Sequence, residues 1–237
     1  MQSREQESYK RIHAPLSLSG GAEDVDFTLA PTRPVEPSYH IAEEEIALGP
    51  ACYLFDFLRR SGVAGYFLPL SGGIDSCATS VIVHSMCRLV HEAIKNGDQQ
   101  VREDLLRITG QDKDSQWRPK NPQEIAGKLF CSAYMGMEGH SSQETRKRAK
   151  DLAAEIGSLH FDFDINPVVA ALLALFKVVT GIVPKFKQHG GTNAESLAIQ
   201  NIQARIRMVI SYMFAQLVPG IFFKRERPGS LLVLGSA

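Results

Sequence analysis

The chain has 237 residues, 44% hydrophobic and 22% charged, with 26 basic and 26 acidic side chains that cancel to zero net charge. Such a composition suits a globular chain with a real core and argues against a phosphate-backbone binder, which displays a basic excess. No apolar stretch reaches the roughly 18 residues of a membrane span, and Met1-Gln2-Ser3-Arg4-Glu5 opens no signal peptide.

Residues 1–40 read as a linker or lead-in: "SLSGG" and Pro15, Pro31, Pro34 and Pro37 interrupt any periodicity. From 41 to 237 the pattern predicts one α/β domain. "EEEIALGPACYLFDFLRRSG" sets Ile46, Cys52, Leu54, Phe55 and Leu58 on a helical stripe that Gly62 stops. Tyr66-Phe67-Leu68-Pro69-Leu70 has the length and composition of a buried strand. Beyond Ser71-Gly72-Gly73, residues Ile74, Ala78, Val81, Ile82, Met86, Leu89 and Val90 recur as one face of a helix reaching Lys95. Residues 96–127 are polar and turn-rich, and predict an excursion at the domain edge. "KLFCSAY" (128–134) reads as a second strand. Ser141-Ser142-Gln143-Glu144 matches a capping box, opening a helix that Gly157 ends. "LHFDFDI" (159–165) is a third strand, and Asn166-Pro167 starts an apolar helix ended by Gly181. A long helix over 193–217 and a strand in "LLVLGSA" (231–237) complete the series. Alternating strands and helices predict a largely parallel sheet. Cys52, Cys77, Cys87 and Cys131 form no C-x-x-C pair, which predicts reduced thiols in a cytosolic protein.

The chemistry concentrates where the first strand gives way to its helix. "SGGIDS" lacks the lysine of a Walker A loop and the G-x-G-x-x-G spacing of a dinucleotide fingerprint. Its paired glycines still let backbone N–H groups approach an anion at a helix N-terminus, with Ser71 and Ser76 adding hydroxyls. Asp75 would repel phosphate unless a cation stands between them, which points to Mg²⁺.

Ser71-Gly72-Gly73-Ile74-Asp75-Ser76 resembles the signature loop of the ATP pyrophosphatases, a group with a Rossmann-like, adenine nucleotide alpha hydrolase fold. "LAIQNIQARIRMVISYMFAQL" is similar to the N-x-x-A-R-x-R-M helix of the NAD synthetases within that group. "SSQETRKRAKDLA" and "LLVLGSA" resemble the synthetase portion of the glutamine-dependent, eukaryotic type. The resemblance implies ATP-dependent amidation of deamido-NAD to NAD through an adenylylated carboxylate, releasing AMP and pyrophosphate. On it, Ser71, Gly72, Gly73, Ser76 and Ser236 bind ATP or its pyrophosphate, and Asp75 ligates Mg²⁺. Asn201 and Arg205, one helical turn apart, bind deamido-NAD. Arg207 lies nearer the apolar stripe and ranks below Arg205, and the region of Ala133-Tyr134-Met135 would border adenine. Ammonia comes from a glutaminase domain, and the 193–217 helix joins a homo-oligomer. The family's N-x-D-E and K-Y-D segments would follow "LGSA", and the glutaminase domain would precede Pro15. The expectation is therefore a chain with little turnover alone. A GMP synthetase and a non-catalytic nucleotide-binding module are the alternative readings. His140 and His189 sit in polar loops, where a solvated imidazole is the expectation.

Overall fold

Four parallel strands stand in the order β3-β2-β1-β4, with β1 at Tyr66–Pro69, β2 at Phe130–Gly136, β3 at Leu159–Asp164 and β4 at Leu232–Val233. The structure is a computed structural model that describes residues 36–139, 141–223, 225 and 229–235. The lead-in over 1–40 therefore falls almost wholly outside the described residues, as do His140 and Ser236. From His40 onward the chain forms one compact unit.

Side chains of the central strands alternate between two cores, as the pleat requires. Tyr66, Leu68, Leu70, Phe130 and Tyr134 face one core, covered by α1 (Ala42–Ser61), α2 (Ile74–Lys95), α3 (Gln99–Ile108), α4 (Pro122–Leu129) and α5 (Gln143–Ile156). Phe67, Cys131, Ala133 and Met135 face the other, covered by α6 (Asn166–Thr180) and α7 (Asn193–Ile221). The result is the helix–sheet–helix sandwich expected of alternating elements. The strand order reverses at β1, whose neighbours β2 and β4 both pair with it in parallel. Ligands gather at such a reversal, beyond the carboxyl ends of the strands.

Several boundaries moved for physical reasons. The 96–127 stretch is no mere polar excursion. It holds α3 and most of α4, each capped by its own side chain: Asp98 accepts from Val101 N–H at 3.0 Å, and Asn121 from Glu124 N–H at 2.9 Å. Leu105, Leu106, Ile108 and Ile125 are buried there. The polar residues around them belong to short helices with one apolar side. Lys128 and Leu129 close α4, so the second strand starts at Phe130. On α2 the buried stripe is Ser76, Ser80, Val83, Met86, Cys87, Val90 and Ile94, so Met86 and Val90 lie where the pattern predicts, while Ile74 and Val81 point to solvent. The serines can be buried because each hydroxyl donates to a nearby carbonyl, Ser76 to Gly73 at 3.1 Å and Ser80 to Cys77 at 2.7 Å. Likewise Ala51 and Leu58, not Ile46 and Cys52, carry the buried face of α1.

Candidate active site

The loop after β1 is fixed before any ligand arrives. Leu70 N–H donates to Ala133 O at 2.8 Å, extending the β1–β2 ladder by one residue, and the chain then turns. Gly72 makes that turn at φ +75°, a left-handed conformation that disfavours any Cβ. It is also buried against α5, where a Cβ would collide with the Thr145 carbonyl oxygen. Only glycine satisfies both conditions. Arg148 straps the turn from outside, its Nη1 donating to Gly72 O at 2.9 Å and its Nη2 to Glu144 at 3.0 Å.

Inside the turn, Gly73 N–H donates to Ser71 Oγ at 3.3 Å. Ser71 and Ser76 hydroxyls lie 3.0 Å apart. Because Ser76 gives its single proton to Gly73 O, the Ser71 hydroxyl donates to Ser76. Gly73 is the N-cap of α2, and Cys77 N–H is the first to close onto it, at 3.0 Å. The N–H groups of Ile74, Asp75 and Ser76 therefore have no acceptor within the helix. They converge with the positive end of the helix dipole, an arrangement suited to an anion. The Asp75 side chain is exposed in this first turn, and its carbonyl accepts from Thr79 Oγ1 at 2.9 Å. Among the described residues no three His, Cys, Asp or Glu side chains gather as a metal cage. A lone carboxylate fits a Mg²⁺ ion whose other ligands are phosphate oxygens and water, the usual arrangement for that ion.

Beside the loop lies a cleft of about 380 Å³. Pro69 and Ser71 form its β1 side and Ala133, Tyr134 and Met135 its β2 side. Ser141, Ser142 and Thr145, at the start of α5, make one wall, and Arg207 of α7 reaches in from the opposite layer. The Tyr134 hydroxyl is held by Thr145 Oγ1 at 3.2 Å and Ser142 O at 3.4 Å. Arg207 Nε donates to Met135 O at 3.0 Å, and burial holds the guanidinium below the usual arginine range. It stays cationic at neutral pH, with its two outer nitrogens able to take an acceptor.

A profile of the family described as NAD synthase matches residues 51–223, which take in the loop, the cleft and α7. This chain belongs to the NAD synthase family. It is 54% identical to the glutamine-dependent NAD(+) synthetase of Saccharomyces cerevisiae, over 97% of this chain and 32% of that protein. It is 47% identical to the Homo sapiens protein of the same name, over 97% and 31%. The chain thus spans about a third of the length of the curated relatives it matches. Among solved structures, a glutamine-dependent NAD(+) synthetase from Cytophaga hutchinsonii superposes with a TM-score of 0.59 at 25% identity, covering 73% of this chain and 29% of that one. The synthetase from Acinetobacter baumannii in complex with ADP superposes at 0.53 and 20% identity, over 86% and 27%, a likeness of fold.

Within this NAD synthase fold the expected residues separate into two groups. Ser71, Gly72, Gly73, Asp75 and Ser76 share the β1–α2 turn. Asn201 and Arg205 stand apart from it, exposed on α7, where Arg205 Nη1 donates to Asn201 Oδ1 at 2.9 Å. Neither lines the cleft. Arg207, two residues further, projects from the other side of the helix and does. Ser236 lies outside the described residues. Thr145 and Arg148, which shape the loop from α5, carry no local signal in the sequence. Their contact with Gly72 is long-range, and a local pattern carries no sign of it. Among the described residues no helix is long and apolar enough to cross a membrane.

Proposed function

We propose that this chain is the synthetase portion of a glutamine-dependent NAD synthetase, a protein that amidates deamido-NAD at the expense of ATP, and that the portion alone turns over little. The nicotinate carboxylate is a poor acyl donor because it would have to expel an oxide. Attack of one carboxylate oxygen on the α-phosphorus of ATP, with departure of pyrophosphate, turns it into an acyl adenylate. Ammonia then adds to the acyl carbon, AMP leaves, and nitrogen loses a proton to give the amide. Such phosphoryl transfer rests on positioning and charge neutralisation.

The observation that carries this reading is the β1–α2 turn, where a buried positive-φ glycine leaves three free N–H groups beside a cleft. Ser71, Ser76 and the N–H groups of 74–76 would hold the phosphates that leave. Asp75 would ligate Mg²⁺, which neutralises charge on the triphosphate. Arg207 is placed to meet an anionic group in the cleft, and Asn201 and Arg205 form the deamido-NAD side. An adenine nucleotide here is in keeping with the similarly folded Acinetobacter baumannii synthetase, whose structure is a complex with ADP. The names of the relatives support glutamine as the source of ammonia, through a glutaminase domain. We assign α7 to self-association, because Val209, Tyr212, Met213 and Leu217 are exposed along it.

Titration of ATP with and without Mg²⁺ into the purified chain tests the proposal. Binding should require the cation, and Asp75→Asn should remove that requirement together with most of the affinity. Binding that ignores both Mg²⁺ and the substitution would overturn the role of Asp75, and no binding at all would overturn the cleft assignment.

A further inference from the structure

One arginine beside the cleft is committed in a way that phosphate binding does not explain. Arg146 leaves the first turns of α5 toward the end of β3. Its Nε lies 2.9 Å from Asp162 Oδ1, and its Nη2 donates to Asp164 Oδ1 at 2.6 Å. Asp162 and Asp164 are two apart on a strand and so share a face. Register places Tyr134 beside Asp162 and Gly136 beside Asp164 on neighbouring β2, all on the side covered by α5. Hydrogen-bonded to Asp164 and ion-paired with Asp162, whose contact with Nε lacks hydrogen-bond geometry, the guanidinium lies over the Tyr134 ring, 5.1 Å from Cζ to centroid. That is a cation–π distance.

The strand makes room for this stack. A Cβ on Gly136 would collide with Asp164 Oδ1, and would sit 2.9 Å from Arg146 Nη2 and 3.1 Å from Tyr134 Cε1. The ring itself is buried, anchored at its hydroxyl by Thr145 and Ser142, and it lines the cleft. An arginine meant for phosphate keeps its fork free, as Arg207 does. The Arg146 fork is occupied by two acids, and the three charges sum to minus one, which would not draw a triphosphate. A pin between α5 and β3 would need one carboxylate and no aromatic ring. The surplus is explained if the object held is the ring.

Resting on the nucleotide reading of the cleft, we propose that Arg146, held by Asp162 and Asp164, is a positioning residue that fixes the Tyr134 ring as the cleft wall and thereby sets nucleotide affinity. The carboxylates hold the guanidinium plane, the guanidinium holds one ring face, and the hydroxyl bonds stop rotation. The ring is then in place before the nucleotide enters, so no ordering cost falls on binding.

The test is a double-mutant cycle on the full chain, with ATP·Mg²⁺ affinity measured by calorimetry and the Tyr134 ring followed by aromatic NMR without nucleotide. Arg146→Met should weaken ATP by roughly tenfold, the loss of one desolvated cation–π contact. It should also shift the Tyr134 ring signal. In a Tyr134→Leu background the same change should alter affinity little, because the residue acts through the ring. Arg146→Lys, which keeps the cation but loses the fork, should fall between, and Asp162→Asn should follow Arg146→Met in the ring signal should the methionine variant fail to fold. Equal loss in both backgrounds, or an unmoved ring signal, would overturn the positioning role. Failure of the unaltered chain to bind ATP would instead overturn the nucleotide reading and the affinity role with it. The ring signal, read without ligand, tells the two failures apart.

Discussion

The two helical layers of this sandwich are finished to different degrees. Over one face of the sheet, α1 to α5 bury Leu58, Val83, Met86, Leu105, Ile125 and Ile156 against Tyr66 and Leu68. Over the other, α6 and α7 bury Val169, Ile206, Ala215 and Val218 but leave a broad apolar surface open. Leu175, Val178 and Val179 are 61%, 83% and 76% exposed there, far beyond the scattered apolar residues of an ordinary surface. The Ser71–Ser76 loop is braced by the finished layer, through Thr145 and Arg148 of α5. The braced loop and the open apolar surface therefore lie on opposite faces of one sheet.

The strongest challenge to that division is Gly72→Ala. A Cβ there costs about 1–2 kcal/mol for its left-handed backbone alone, and the Thr145 carbonyl must also be pushed away from the loop. ATP binding measured by calorimetry should vanish while far-UV circular dichroism stays native. Retained binding would show that the loop does not depend on its contact with α5.

Next in size is a matched pair of truncations. Leu68→Ala, in the covered core, should lower unfolding free energy by about 2–5 kcal/mol. Leu175→Ala should lie within about 0.5 kcal/mol at concentrations where the chain is monomeric. Urea midpoints at constant m-value would measure both. The open layer is sharpened further by Leu175→Asp, which should reduce the mass seen by light scattering if a second copy covers α6 and α7. Comparable losses from the two alanine changes would erase the contrast.

The smallest expected effect is a pH dependence inside the finished layer. Burial lowers the pKa of His84, with Arg88 adding to the shift and Glu155 opposing it. Burial also lowers that of His160, with Asp162 opposing and Lys150 adding. An unfolded imidazole titrates near 6.5. Below that value the unfolded chain binds protons that the folded chain refuses, so stability is fully present above about pH 6.5 and declines as pH falls. His84→Gln with His160→Gln should flatten the fall in urea midpoint between pH 7.5 and 5.5. An unchanged slope would place the dependence elsewhere.

What could be read in the sequence was whatever local geometry dictates. Gly62, Gly157 and Gly181 stop their helices with φ of 72°, 81° and 74°. The Ser71–Ser76 turn likewise falls between strand and helix as its pattern predicts. The start of α5 falls one residue later than the capping box predicts: Ser142, not Ser141, accepts from Glu144 N–H at 3.1 Å, and the Glu144 carboxylate accepts from Arg148 instead of closing the box. Hidden features arose from long-range contact. Asp104 is polar by type yet buried, because Arg59 and Arg107 reach it at 3.4 and 3.0 Å, and this disguised α3 as a loop. The buried stripe of α2 runs through serines, which a hydrophobic count passes over. In the sequence Arg207 reads as weaker than Arg205 because it lies near apolar neighbours. Those neighbours face the sheet, and the same orientation turns Arg207 toward the cleft.

The pairing of β1 carries a consequence for how the molecule is made. Tyr66 and Phe67 join Phe130 and Cys131 on one side, but on the other they wait for Leu232 and Val233. Until Leu232 and Val233 have been synthesised, the strand that leads into the Ser71–Ser76 turn keeps a naked edge, open to mispairing with other nascent chains. Closing that edge waits on the arrival of β4, and the ribosome, not the ligand, decides when it can happen.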